Sequence, residues 1–90
     1  RMIIFGASKA GQKAYEVTTQ KAVVIAFADN DSKKQGSNFC NIPVISPEQI
    51  NTLQFSAILI ASMHAKEIHA QLLLEIGLEY EKVHLFEMQD

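Results

Sequence analysis

The chain has 90 residues, of which 48% are hydrophobic and 20% charged, and its formal net charge is −2. That length supports one core, burying about 60–65% of the surface exposed by the unfolded chain, and excludes a catalytic domain joined to a separate substrate domain. The composition excludes a disordered chain, and the charge excludes a basic field for sequence-independent binding to nucleic acid.

A single cysteine, Cys40, leaves no internal disulfide to form, which reads as an intracellular, cytoplasmic chain. No apolar run approaches the roughly 18 residues of a membrane span, and the first apolar run, Met2–Phe5, is too short for a signal peptide. The first residue is Arg1 and an apolar run opens at Met2. This reads as residues 1–90 forming one domain, a fragment of a larger parent.

Met2-Ile3-Ile4-Phe5 is continuously apolar, as in a strand buried on both faces, and it ends at Gly6. From Lys9 to about Thr19, Ala10, Ala14 and Val17 fall on one helical face. Ala22 to Ala28 is apolar and rich in β-branched residues, a second strand. Asp29 to Asn38 is polar and turn-rich, the longest irregular stretch, and reads as a solvated turn able to close over a ligand.

Ile42-Pro43-Val44-Ile45 predicts a short edge strand, since proline removes a ladder donor. Ser46-Pro47-Glu48-Gln49 carries an N-cap, a first-turn proline and a capping box, predicting a short helix that ends near Thr52. Ala57–Ala61 predicts a third long buried strand, followed by Ser62-Met63-His64 as a connection. Ala65, Ile68, Leu72 and Ile76 line one face of a helix over 64–76, with Gly77 placed to end it. Val83–Phe86 closes the set as a last strand.

Alternation of two-sided apolar strands with helices predicts an α/β fold. It is a doubly wound parallel sheet of about five strands in the order 3-2-1-4-5, with helices on both faces.

The main site signal is Gly6-Ala7-Ser8-Lys9-Ala10-Gly11, between the first strand and the first helix, where a Rossmann phosphate loop belongs. Gly6 permits the tight turn and Gly11 permits close helix packing. The helix N-terminus offers donors to an anion, and Lys9 adds a charge. Ser8 stands where the G-x-G-x-x-G fingerprint has its middle glycine. Its hydroxyl can bond a phosphate or cap the helix. The P-loop ending is missing, which removes an NTPase reading.

Asp29 follows Gly6 by 23 residues at the end of the second strand. It suits either a ribose-binding carboxylate or an Asx-turn residue. Asp29-Asn30-Asp31 fails the calcium-loop pattern, with Lys33, Lys34 and Cys40 at its fifth, sixth and twelfth positions, so no metal is expected. Ser62, Met63 and His64 would face the glycine loop if their strand neighbours the first. His64 and His69, five apart, lack metal-ligand spacing on one helix face. No carboxylate pair, nucleophile triad or Tyr-x-x-x-Lys segment supplies a catalytic set.

The run Ile3–Gly11, the segment Ile25–Asp31 with Lys33, Lys34 and Gly36, Ile42-Pro43-Val44 and Ile58–Ser62 together resemble small Rossmann-like domains of bacterial polysaccharide biosynthesis. Such domains precede the catalytic domain of membrane-bound nucleotide-sugar epimerases and dehydratases of the capsular-polysaccharide type, or the β-helix of sugar acyltransferases.

The resemblance implies a nucleotide-binding accessory domain for NAD(P) or a nucleotide-sugar, in a parent that is membrane-anchored in the dehydratase context. Gly6, Ser8, Lys9 and Gly11 would lie against phosphates, with Ala7 and Ala10 in the same loop. Asp29 and Asp31, with Asn30 between them, would lie near the ribose or base. Ser62 and His64, flanking Met63, would line the opposite wall. The competing expectation is a degenerate Rossmann unit that binds no ligand and mediates assembly, with a homo-oligomer as its signature.

Overall fold

Two-sided apolar runs give the central strands. The computed structural model describes residues 1–87. Its strands are β1 (Met2–Phe5), β2 (Val24–Ala28), β3 (Asn38–Phe39), β4 (Ile42–Ile45), β5 (Ala57–Ile60) and β6 (Val83–Leu85). They form one sheet in the order β3-β4-β2-β1-β5-β6. All pairings are parallel except that of β3 with β4. With β3 set aside, the order is the expected 3-2-1-4-5 of a Rossmann-like sheet.

Alternate residues of β1 feed two cores. Ile3 and Phe5 join Ile58, Ile60, Ile68 and Leu72 on one face. Ile4 joins Ala14, Phe27, Val44 and Ala61 on the other. Helix α1 (Lys9–Thr18) covers the second face. Helix α2 (Ala65–Leu74) and a 3-10 turn over Pro47–Thr52 cover the first. Phe27, fully buried, is flanked by Tyr15 and Phe39 at ring-centre distances of 5.9 and 5.0 Å.

Several boundaries differ from the sequence expectation. The Ile42–Ile45 strand is not the sheet edge, because β3 pairs with it through Asn38↔Pro43 and Phe39↔Ile42. The two-residue link, Cys40 and Asn41, has φ of 53° and 61°, the positive values that a tight hairpin turn demands.

The stretch after Asp29 is solvated, with residues 30–33 and 36–38 exposed, and its backbone is anchored. Lys34 N–H bonds Asp31 O at 3.0 Å, Gln35 Nε2 bonds Asp29 O at 2.8 Å, and Gly36 N–H bonds Val44 O at 2.9 Å. The second strand starts at Val24 rather than Ala22. The last two strands end at Ile60 and Leu85, each one residue short of the expectation.

The segment after Ser46 is 3-10 rather than α, and its capping box includes Ser46 N–H donating to Gln49 Oε1 at 2.9 Å. Helix α2 ends at Leu74 instead of Ile76. Ile76 N–H reaches back to Gln71 O and the chain turns through Gly77, whose φ is +82°.

Cys40 is half-buried, and burial foremost, then the Glu16 carboxylate, holds its thiol above the ordinary range. Less thiolate is present at a given pH, and thiolate is the nucleophile. Iodoacetamide at pH 8 is expected to alkylate Cys40 more slowly in the native chain than in urea, as followed by intact mass. Among the described residues, no helix is long and apolar enough to cross a membrane.

Candidate functional site

The parallel register of β1 against β2 and β5 sets the carboxyl ends of three strands side by side, with Phe5 level with Ala28 and with Ile60. The chain order reverses direction at β1, so its exit is the switch point at which open α/β sheets bind ligands. Gly6 leaves β1 with φ +121° and donates its N–H to Ala28 O at 2.8 Å. A side chain there would collide with Ala61 O, and one at Gly11 would collide with Gly6 O. The two glycines thus let the loop lie on β5 and let α1 lie on the loop.

Asp29 closes this arrangement. Its Oδ2 accepts the Ala7 N–H at 2.8 Å, and its Oδ1 accepts the Asp31 N–H at 2.8 Å. The second contact is the Asx turn foreseen as one option. The first ties the carboxylate to the glycine loop across 22 residues of sequence. Lys34 Nζ donates to Ala7 O at 3.0 Å, so both backbone polar groups of Ala7 are held by the segment after β2.

Ser8 takes the N-cap position with extended backbone and makes no side-chain capping bond, so its hydroxyl is not engaged by the helix. The N–H groups of Ser8, Lys9, Ala10 and Gly11 meet no acceptor among the described residues. They form the unsatisfied end of α1.

Two clefts meet over this loop. The first, about 710 Å³, includes Gly6, Ser8, Asp29, Asn30, Asp31, Lys34, Ser62, His64, Glu67 and Gln71 in its wall. Three carboxylates there face one ammonium. The second, about 520 Å³, is walled by Ser8, Lys9, Ala10, Lys13, Ser62, Met63 and His64, with two ammonium groups and no carboxylate among the described residues. Ser8, Ser62 and His64 belong to both. The groove is thus acidic in one lobe and basic in the other, with hydroxyls at the junction. Ser62 Oγ accepts the His64 N–H at 3.0 Å, and His64 Nδ1 lies 3.9 Å from Glu67 Oε2 with both side chains well exposed.

The sequence-predicted residues Gly6, Ser8, Lys9, Ala10, Asp29, Asn30, Asp31, Ser62, Met63 and His64 all fall in these walls. Ala7 and Gly11 do not line them. They are buried, one as a donor to Asp29 and the other in the first turn of α1, against the Gly6 carbonyl. Lys13, Lys34, Glu67 and Gln71 were not foreseen. Lys34 stands in the motif segment after the second strand and was within reach of sequence reasoning. Gln71 carried no sequence signal.

Architecture and groove together define a Rossmann-like α/β domain with its crevice at the strand carboxyl ends. The chain belongs to the C2185-like, N-terminal family, whose profile matches residues 1–84. Among solved structures it is similar to UDP-D-quinovosamine 4-dehydrogenase from Vibrio fischeri, with 25% sequence identity and a TM-score of 0.72. That alignment covers 96% of this chain and 76% of the other. No curated protein matches the chain.

Proposed function

We propose that the chain binds a nucleotide-sugar, as the accessory nucleotide-binding domain of an enzyme that modifies such sugars in bacterial polysaccharide synthesis, of the epimerase or dehydratase kind. The observation that carries this reading is the split polarity of the groove at the switch point.

Asp29 and Asp31 suit the hydroxyls of a nucleoside, because ionised carboxylates only accept hydrogen bonds. The free N–H groups at the start of α1, with Lys9 and Lys13, suit a diphosphate. Ser8, Ser62 and His64 lie between. The likeness to a UDP-sugar dehydrogenase supports the ligand class.

The dinucleotide NAD(P) fits less well. Ser8 occupies the position through which a pyrophosphate approaches the backbone in the strict fingerprint, and two carboxylates oppose a 2′-phosphate. No catalytic role is assigned to this chain's residues. The parent is taken as a cytoplasmic-facing protein.

Titration of the chain with UDP, UDP-sugars, NAD and NADP, followed by calorimetry and chemical-shift mapping, tests the proposal. UDP-sugar is expected to shift the amides of Gly6–Gly11 and to raise the melting temperature, since a ligand of the folded state alone must stabilise it. Silence of those amides at millimolar ligand removes the reading. An NAD response stronger than the UDP-sugar response moves it to the dinucleotide.

A further inference from the structure

Asn30 and Gln71 face each other in the first cleft. Asn30 follows Asp29 at the tip of β2, and Gln71 sits in the second half of α2. Asn30 Nδ2 donates to Gln71 Oε1 at 2.9 Å, and Gln71 Nε2 donates to Asn30 Oδ1 at 2.9 Å. Two carboxamides joined in this way form a closed ring in which each group engages one donor and one acceptor of the other.

The pair is exposed, so water competes for both bonds and its net contribution to folding is small. It spans 41 residues of sequence and joins two walls of the cleft. A core of apolar residues already fixes α2 on the sheet through Ile68 and Leu72, so the fold does not need this strap.

The geometry points to a base-recognition element, which rests on the nucleotide reading above. The imide edge of uracil, N3–H beside C4=O, is itself an amide with donor and acceptor side by side. It can replace one member of the carboxamide pair without leaving the other unpaired, as Asn and Gln do when they read a base edge with two bonds.

The exchange moves no charge out of water. Placement agrees with it. Lys9 and Lys13 line only the second cleft, and Asn30 and Gln71 only the first, with Ser8, Ser62 and His64 common to both. A ligand whose diphosphate meets α1 thus has its far end at the amide pair. Asn30, beside the anchored Asp29, is the reader. Gln71, on a long side chain, holds the reader while the cleft is empty and gives way to the base.

The two residues therefore have opposite expected effects. Calorimetry on the full chain uses UDP, 3-methyluridine 5′-diphosphate, in which N3 cannot donate, and ribose 5-phosphate, which has no base. Asn30→Ala is expected to weaken UDP about tenfold, the discrimination of one two-bond contact, and to leave ribose 5-phosphate within about twofold.

Methylation at N3 is expected to weaken UDP by a similar factor in the native chain and to add no further loss in Asn30→Ala, the signature of a shared contact. Gln71→Ala removes the competitor and is expected to leave UDP affinity equal or higher. The Asn30 side-chain amide resonances shift with UDP and stay in place with ribose 5-phosphate.

Equal affinity of the native chain for UDP and its 3-methyl analogue overturns the assignment and leaves the nucleotide reading standing. A loss in Gln71→Ala as large as that in Asn30→Ala also overturns it. A native chain that binds neither UDP nor ribose 5-phosphate overturns both readings together.

Discussion

Gly11→Ala is expected to destabilise the chain by about 2 kcal/mol or more, although alanine is the better helix former. Two effects oppose each other at this position. Helix propensity favours alanine over glycine by about 1 kcal/mol in a helix interior. Packing opposes it, because the added methyl would run into the Gly6 carbonyl. Overpacking a tight contact costs about 1–3 kcal/mol when side chains can shift. Here the partner is backbone, and it is pinned. Gly6 donates to Ala28 O at 2.8 Å and lies flush against Ala61 O, while Ala7 is held by Asp29 and Lys34. With no slack on the loop side, α1 itself must lift, and its lifting opens the Ala14 and Phe27 core beneath it.

Against a total stability of about 5–13 kcal/mol for a domain of this length, the loss shows as a melting temperature lower by about 8–16 °C. Urea unfolding with Gln12→Ala as the exposed control, expected within about 0.5 kcal/mol of the native chain, makes the measurement. A Gly11→Ala chain more stable than the native one would mean that α1 does not rest on the loop, and the open N-terminus above Ser8 would lose its support.

How much of this was legible beforehand follows from where each feature gets its stability. The strands Met2–Phe5, Val24–Ala28 and Ala57–Ile60 are buried on both faces, so continuous apolar runs betray them, and their order follows from right-handed crossovers. β3 is two residues, Asn38 and Phe39. It exists because Cys40 and Asn41 make a tight turn and because the Phe39 ring meets Phe27 edge-on at 5.0 Å, and neither cause has a periodicity. Helix α2 stops before Ile76 because Gly77 reverses the chain, while the apolar pattern runs on regardless.

In the groove, the glycine loop was readable as a motif because backbone constraints leave glycine little competition. The bond from Ala7 N–H to Asp29 was not, since it depends on the register that sets Phe5 level with Ala28. The meeting of Asn30 with Gln71 depends on the docking of α2, which sequence spacing does not encode.

Asp29→Asn is expected to weaken nucleotide binding by more than tenfold and to lower the melting temperature by about 10 °C, near 2 kcal/mol for a domain of this size. The substitution preserves shape and changes only the acceptor set. In the native chain, two backbone N–H groups, of Ala7 and Asp31, point at the two carboxylate oxygens at 2.8 Å. Asparagine has one oxygen, so its NH₂ must face one of those donors and leave it unpaired. A hydrogen bond to an ionised group contributes about 1.5–3 kcal/mol. The site is half open to solvent, so the lower end of that range applies to the pair.

If the amide oxygen stays with Ala7, the Asx turn loosens. If it stays with Asp31, the glycine loop loses its tie to β2, and the donors at the start of α1 lose their fixed aim. Either way, the surface meant to accept ribose hydroxyls now presents donors to them. Asp31→Asn is the control for stability, because among the described residues Asp31 Oδ1 accepts one hydrogen bond, from the exposed Lys33 N–H at 2.9 Å. It is expected to move the melting temperature by less than half as much. Calorimetry with UDP on both variants separates the two roles of Asp29. A turn residue alone would lower stability with binding scaled to the folded fraction. A ligand-facing acceptor loses affinity in the fraction that remains folded.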